Sequence, residues 1–116
     1  MRESMFKSSV TYYVLQTRST LNQLYNRDKT YEVRRRFNDF KRLYSALKQV
    51  DEYKGFSIPP LPEEATDFTS YVVHSESFIK ERKQKLESFL RLLTAHEKIR
   101  FDELLCRFLT QPSFDD

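Results

Sequence analysis

Glycine is almost missing from this chain: among 116 residues only Gly55 is one. Phosphate-cradling loops of the dinucleotide and P-loop types need several glycines at fixed spacing, so both classes are excluded. Cysteine is as scarce. Cys106 stands alone, which rules out an internal disulfide and suits a reducing compartment. Tryptophan is absent, so the aromatic share of 15% comes from ten Phe and seven Tyr. A net charge of +3 is too small for a uniformly basic nucleic-acid coat, though it allows a local basic patch. No apolar run approaches the roughly 18 residues of a membrane span. Met1-Arg2-Glu3-Ser4-Met5 lacks the apolar core of a signal peptide. The expectation is a cytosolic protein that does not bind nucleic acid. Repeats and low-complexity segments are missing too.

What is present suits one domain. A length of 116 residues and a hydrophobic share of 39% allow a single core, expected over about residues 8–110. The whole chain, 1–116, reads as one domain excised from a longer protein. In the first third, β-branched and aromatic residues alternate: Val10, Tyr12 and Val14 with Thr11, Tyr13 and Leu15. This predicts a strand over residues 8–18, a weakly signalled one over 21–25, a polar turn at Asn26-Arg27-Asp28-Lys29, and a third strand over 31–37. Short spacing favours an antiparallel meander. Asn38 reads as a helix N-cap, after which Phe40, Leu43, Tyr44, Leu47 and Val50 predict an amphipathic helix over 39–50. Residues 51–74 read as irregular, with Pro59-Pro60-Leu61-Pro62 barring a helix. A second helix begins at Ser75, with Phe78, Ile79, Leu86, Phe89, Leu90 and Leu93 on one face. A third spans about 99–110, with Phe101, Leu104, Leu105 and Phe108 inward. The predicted class is α+β: a three-stranded antiparallel sheet packed against three main helices, with a proline-rich loop.

Two charged features stand out. Arg34, Arg35 and Arg36 end the third strand, where alternation sends Arg35 to one face and its neighbours to the other. Arginine forks match phosphate oxygens, and Phe37 beside them offers a flat face for a sugar or inositol ring. The alternative is a solvated strand end balanced by Glu32 and Asp39. Arg82 is the second feature. It interrupts the stripe Phe78, Arg82, Leu86, Phe89, Leu93, and a buried charge needs a partner. That partner is Glu32, Asp39 or an anionic ligand, unless Arg82 sits at the wet edge of the stripe. Pro59-x-x-Pro62 reads as a rigid loop wall or as a ligand for an SH3-type domain. Phe68, Tyr71, Val72 and Val73 lie in an otherwise polar loop and either pack on the core or dip into a bilayer interface.

Catalysis finds little support. Cys106 reads as structural, and His74 and His96 have no Cys or His at metal-ligand spacing. No carboxylate pair is marked as an acid and a base. The chain is expected to be no enzyme and to carry no metal or cofactor.

Three motifs then coincide. Arg35-Arg36-Phe37-Asn38-Asp39-Phe40 resembles the Arg-Arg-(Tyr/Phe)-x-Asp-Phe signature of phox-homology (PX) domains. Ile58-Pro59-Pro60-Leu61-Pro62 resembles their proline loop. Glu81-Arg82-Lys83-Gln84-Lys85-Leu86-Glu87-Ser88-Phe89-Leu90 and Phe108-Leu109-Thr110 are similar to segments of the sorting nexins. The resemblance covers essentially the whole chain, in order and spacing. It implies a reader of phosphatidylinositol 3-phosphate, peripheral on endosomal membranes and serving protein sorting, with partners in a sorting complex. Carried over, Arg36 would hold the 3-phosphate, Phe37 would stack under the inositol ring and Arg82 would bond the 4- and 5-hydroxyls. Residues 68–73 would fall in or near the membrane-inserting loop. One position departs from the pattern. The family usually has a lysine two residues after the last proline of the loop, contacting the 1-phosphate. Here that position is Glu64, preceded by Glu63. Losing one charge-assisted contact costs about 1.5–3 kcal/mol, or roughly ten- to over a hundredfold in affinity. Lys54, Lys80, Lys83 and Arg35 are candidates for auxiliary contacts, and Arg34, Lys41 and Arg42 for any further phosphate. A PX fold used mainly for protein–protein contact, with weak or no lipid binding, is the alternative.

Overall fold

The computed structural model describes residues 2–5, 11–19, 29–62 and 76–114. Strands β1 (Arg2–Met5), β2 (Thr11–Ser19) and β3 (Lys29–Arg36) form an antiparallel sheet in the order β1-β2-β3. Two of the predicted strands are found, with shifted ends: that over 8–18 is β2 and that over 31–37 is β3. The one placed at 21–25 lies outside the described residues. The sheet's remaining strand is β1, which the sequence did not announce. Four residues are too few for a period-two pattern, and only pairing with β2, from Arg2 opposite Val14 to Met5 opposite Thr11, makes the segment a strand.

The β2–β3 register sets the faces. Tyr13 lies opposite Arg35 and Leu15 opposite Val33, and all four are buried. Arg34 and Arg36, one residue off, are exposed, as strand alternation requires. Arg34 reaches diagonally over the Tyr12 ring at 5.6 Å.

Three helices cover the inner face: α1 (Phe37–Lys48), α2 (Glu76–Ala95) and α3 (Glu103–Thr110). Phe40, at 0% exposure, is a hub where sheet and helices meet. Its ring stands edge-on to Tyr13 at 6.2 Å and to Phe108 at 4.9 Å. Leu43, Leu47, Leu86, Phe89, Leu93, Leu105 and Phe108 complete the buried centre, and Ile58 and Leu61 of the proline segment lean on it. That packing makes the proline segment a wall against the core.

Two helix starts differ from expectation. The cap of α1 is Arg36, in extended conformation, and Asn38 lies inside the helix. Asp39 explains the earlier start, because its Oδ2 accepts the backbone N–H of Arg36 at 2.9 Å. An acid in the first turn that reaches back to the cap residue satisfies an orphan donor and meets the positive end of the helix dipole. The predicted helix over 99–110 is split. Ile99–Phe101 is a single 3-10 turn, and Asp102 then caps α3 by accepting the Leu105 N–H at 3.0 Å. The break turns Phe101 outward, to 57% exposure, with the Arg100 guanidinium 4.7 Å from its ring centre.

Asp102 also ties the head of the proline segment to α3. The Tyr53 hydroxyl donates to Asp102 Oδ2 at 2.8 Å. Burial first, then the hydrogen bond and charge of Asp102, push the Tyr53 hydroxyl from 10.0 up to about 12. The folded state therefore holds this proton more tightly than the unfolded chain does. The stability contributed is fully present below the unfolded value of 10.0 and is lost as pH rises through about 12. Tyr53→Phe is expected to cost about 1–2 kcal/mol at neutral pH and to remove this part of the alkaline decline. Urea unfolding at neutral pH and at about pH 11 measures both effects.

Candidate anion and headgroup site

Strand β3 passes into α1 with no intervening loop, so the arginine run sits on a corner. Arg36 is the corner residue. Its backbone is fixed by Asp39, whose second oxygen accepts from Arg42 Nη2 at 2.7 Å. Asp39 is buried, so the acid once expected to balance the run is committed inside the fold. The exposed side chain of Arg36 lines an open cleft of about 640 Å³ together with Asn38, Lys41, Arg42 and Ser45. Three of these five residues are cationic and none is a carboxylate. Arginine and lysine supply only donors, and asparagine and serine add more. Such a lining suits an anion with several oxygens.

The next residue, Phe37, begins α1 and is half-buried. Arg82 of α2 comes to it. The guanidinium carbon of Arg82 lies 4.0 Å from the Phe37 ring centre and 4.6 Å from that of Phe78. Two aromatic faces thus flank the charge that interrupts the apolar stripe. Guanidinium is weakly hydrated and planar, and it stacks on such rings at low desolvation cost. Of the carboxylates considered for Arg82, Asp39 accepts from the Arg36 N–H and Arg42 Nη2, and Glu32 accepts from Gln16 Nε2 at 2.9 Å. The structure sets Arg36 and Phe37 side by side at the β3–α1 corner and brings Arg82 of α2 onto Phe37.

Arg35 leaves this set. It has 0% exposure and turns to the opposite side of the sheet. Its guanidinium donates to the backbone carbonyls of Arg34, Arg107, Gln111 and Pro112, between the rings of Phe108 and Phe114 at 5.4 and 5.6 Å. A buried group held by carbonyls at the C-terminal end of α3 is no auxiliary contact for a ligand. Lys54 is exposed and paired with Asp51 at 2.9 Å, Lys80 is exposed, and Lys83 is half-buried. Phe68, Tyr71, Val72, Val73, His74, Glu63 and Glu64 lie outside the described residues.

Two further groups with chemical potential lie elsewhere. His96 Nδ1 accepts the backbone N–H groups of Lys98 and Ile99 at 3.1 and 3.2 Å. Cys106 is exposed, and partial desolvation together with the Asp102 charge pushes its thiol pKa up, away from a reactive thiolate. Among the described residues, no three His, Cys, Asp or Glu side chains gather as metal ligands, and no helix is long and apolar enough to cross a membrane.

Sequence reasoning named Arg36, Phe37 and Arg82 as candidates. It placed Phe78 in the core stripe and missed its contact with Arg82. The available signal was the four-residue spacing, which puts an aromatic ring one turn below the guanidinium.

Residues 23–112 match the PX domain family. Sorting nexin 2B of Arabidopsis thaliana is 36% identical over 108 residues, covering 91% of this chain and 18% of that protein. Sorting nexin-3 of Schizosaccharomyces pombe is 37% identical over 94 residues, covering 80% of this chain and 62% of that protein. The chain thus spans a small part of the first and just under two thirds of the second. Among solved structures, a designed CISK-PX domain superposes with a TM-score of 0.70 at 26% identity, covering 94% of this chain and 91% of that one.

Proposed function

Because the chain belongs to the PX domain family, we propose that it binds a phosphoinositide headgroup, phosphatidylinositol 3-phosphate foremost, and so recruits its parent protein to endosomal membranes for sorting. The observation that carries this reading is the meeting of Phe37 and Arg82, 4.0 Å apart, beside Arg36 on the β3–α1 corner. An aromatic face, a fork of donors and an exposed cation in a carboxylate-free cleft are the parts a phosphorylated polyol needs. Arg36 would take the 3-phosphate, Phe37 the ring face, and Arg82 the 4- and 5-hydroxyls. Phe68, Tyr71, Val72 and Val73 would enter the bilayer interface.

Flotation with liposomes containing phosphatidylinositol 3-phosphate tests the reading. Arg36→Ala is expected to weaken binding about ten- to over a hundredfold, the loss of one charge-assisted contact. Equal binding by wild type and variant would remove Arg36 from the site. A panel of other phosphoinositides at one ionic strength separates headgroup selectivity from screened surface attraction.

Glu64, where the family usually offers a lysine, and Glu63 before it favour a second reading: a PX fold that acts mainly through protein contact. It predicts no headgroup-dependent NMR shifts at Arg36 or Arg82, and a protein partner retained in pull-downs.

A further inference from the structure

The geometry at Phe37 poses a conflict. The proposed headgroup site asks Phe37 to offer its ring face to an inositol, yet the Arg82 guanidinium lies 4.0 Å from that ring's centre and covers one face. A sugar ring and a guanidinium cannot occupy the same face together. Arg82 also rests on Phe78, at 4.6 Å, and Phe78 is four residues before it on α2. These two residues are one helical turn apart on a rigid element, so this contact does not depend on how α1 sits. The Phe37 contact joins two separate helices and can be exchanged.

Resting on the headgroup reading above, we propose that Phe78 is a positioning residue for Arg82: a ring-bearing ligand displaces the guanidinium from Phe37, while Phe78 keeps it at the edge of the site. An arginine side chain has many rotamers to lose when it binds, and a ring already stacked on it removes most of them beforehand. Phe78 thus contributes to affinity without touching the ligand. In the free protein it also shields the charge that interrupts the apolar stripe of α2.

The test compares the full chain carrying Phe78→Leu or Phe78→Tyr with wild type. Leucine fills the half-buried space but offers no ring, and tyrosine keeps one. Thermal melting first establishes that each variant is folded. The side-chain Nε–H resonance of Arg82 is then followed by NMR, free and during titration with inositol 1,3-bisphosphate. Ring currents from the flanking rings should displace this resonance in the free wild type and in Phe78→Tyr, and Phe78→Leu should lose much of that displacement. Titration should move it part of the way back in wild type as the Phe37 contribution is removed. Affinity should fall roughly two- to tenfold in Phe78→Leu, the effect of having to order one rotamer-rich side chain on binding, and be retained in Phe78→Tyr. If wild type binds the probe and Phe78→Leu binds it equally well or better, the positioning role is wrong and the headgroup reading stands. If wild type binds no inositol phosphate, both fall together. An unmoved Arg82 resonance in a wild type that does bind would overturn the exchange.

Discussion

Replacing Arg35 by methionine is expected to destabilise the domain by about 3–5 kcal/mol, because several backbone carbonyls lose a buried charged donor. The residue has 0% exposure and serves four backbone carbonyls. Three of these, on Arg107, Gln111 and Pro112, belong to the end of α3 and the segment that leaves it, far from Arg35 in sequence. A helix C-terminus presents unpaired carbonyls and the negative end of its dipole, and a guanidinium fork answers both. Methionine fills much of the space and leaves those carbonyls without their donor. A domain of this size has about 5–15 kcal/mol in total, so a large part of its stability depends on one side chain. The melting temperature should fall by about 10–20 °C. Arg35→Lys keeps the charge but not the fork and should lie between the two. Arg34→Met, on the exposed face, should stay within about 0.5 kcal/mol of wild type. A stable Arg35→Met protein that fails to bind lipid would return Arg35 to the ligand set and contradict the fold-building role.

Phe40→Ala should cost a similar amount, about 3–5 kcal/mol, for a different reason. The ring is fully buried, edge-on to Tyr13 and Phe108, so truncation loses transfer energy and opens a cavity among side chains from β2, α1 and α3. Phe40→Leu should cost less, about 1.5 kcal/mol or under, because volume is largely kept. Urea midpoints measure both, and the m-value should stay constant if the same surface unfolds. Neither variant changes Arg36 or Phe37, so headgroup affinity per folded molecule should hold. A change in affinity without a change in midpoint would place Phe40 at the site.

Arg35 and Phe40 bracket the run Arg35-Arg36-Phe37-Asn38-Asp39-Phe40, and the run divides by direction. Arg35, Asp39 and Phe40 point inward and build the corner. Arg36 is exposed and Phe37 is half-buried. The inward residues make the corner rigid, and a rigid corner holds Arg36 and Phe37 in place.

Much of this was legible in the chain itself. Alternation of side chains along β3 separates Arg35 from Arg34 and Arg36 before any fold is known, because that separation needs only the geometry of one strand. Helical spacing likewise marks the inner faces of α1 and α2 and shows Arg82 as a charge inside an apolar stripe. These are properties of neighbours in sequence, and periodicity encodes them. The rest needed contacts between distant segments. Nothing local to Arg35 says that its fork ends on the carbonyls of Gln111 and Pro112. Nothing local to Arg2–Met5 says that it pairs with β2. The split at Asp102 follows from a side chain that caps α3 while also holding Tyr53. The partner of Arg82 was sought among acids, because a charge in an apolar stripe suggests an opposite charge. Tertiary packing placed the Phe37 ring of α1 against the guanidinium, with Phe78 of its own helix 4.6 Å away. Sequence determined which side chains had to leave water together. Only the packing of separate elements decided what each one met there.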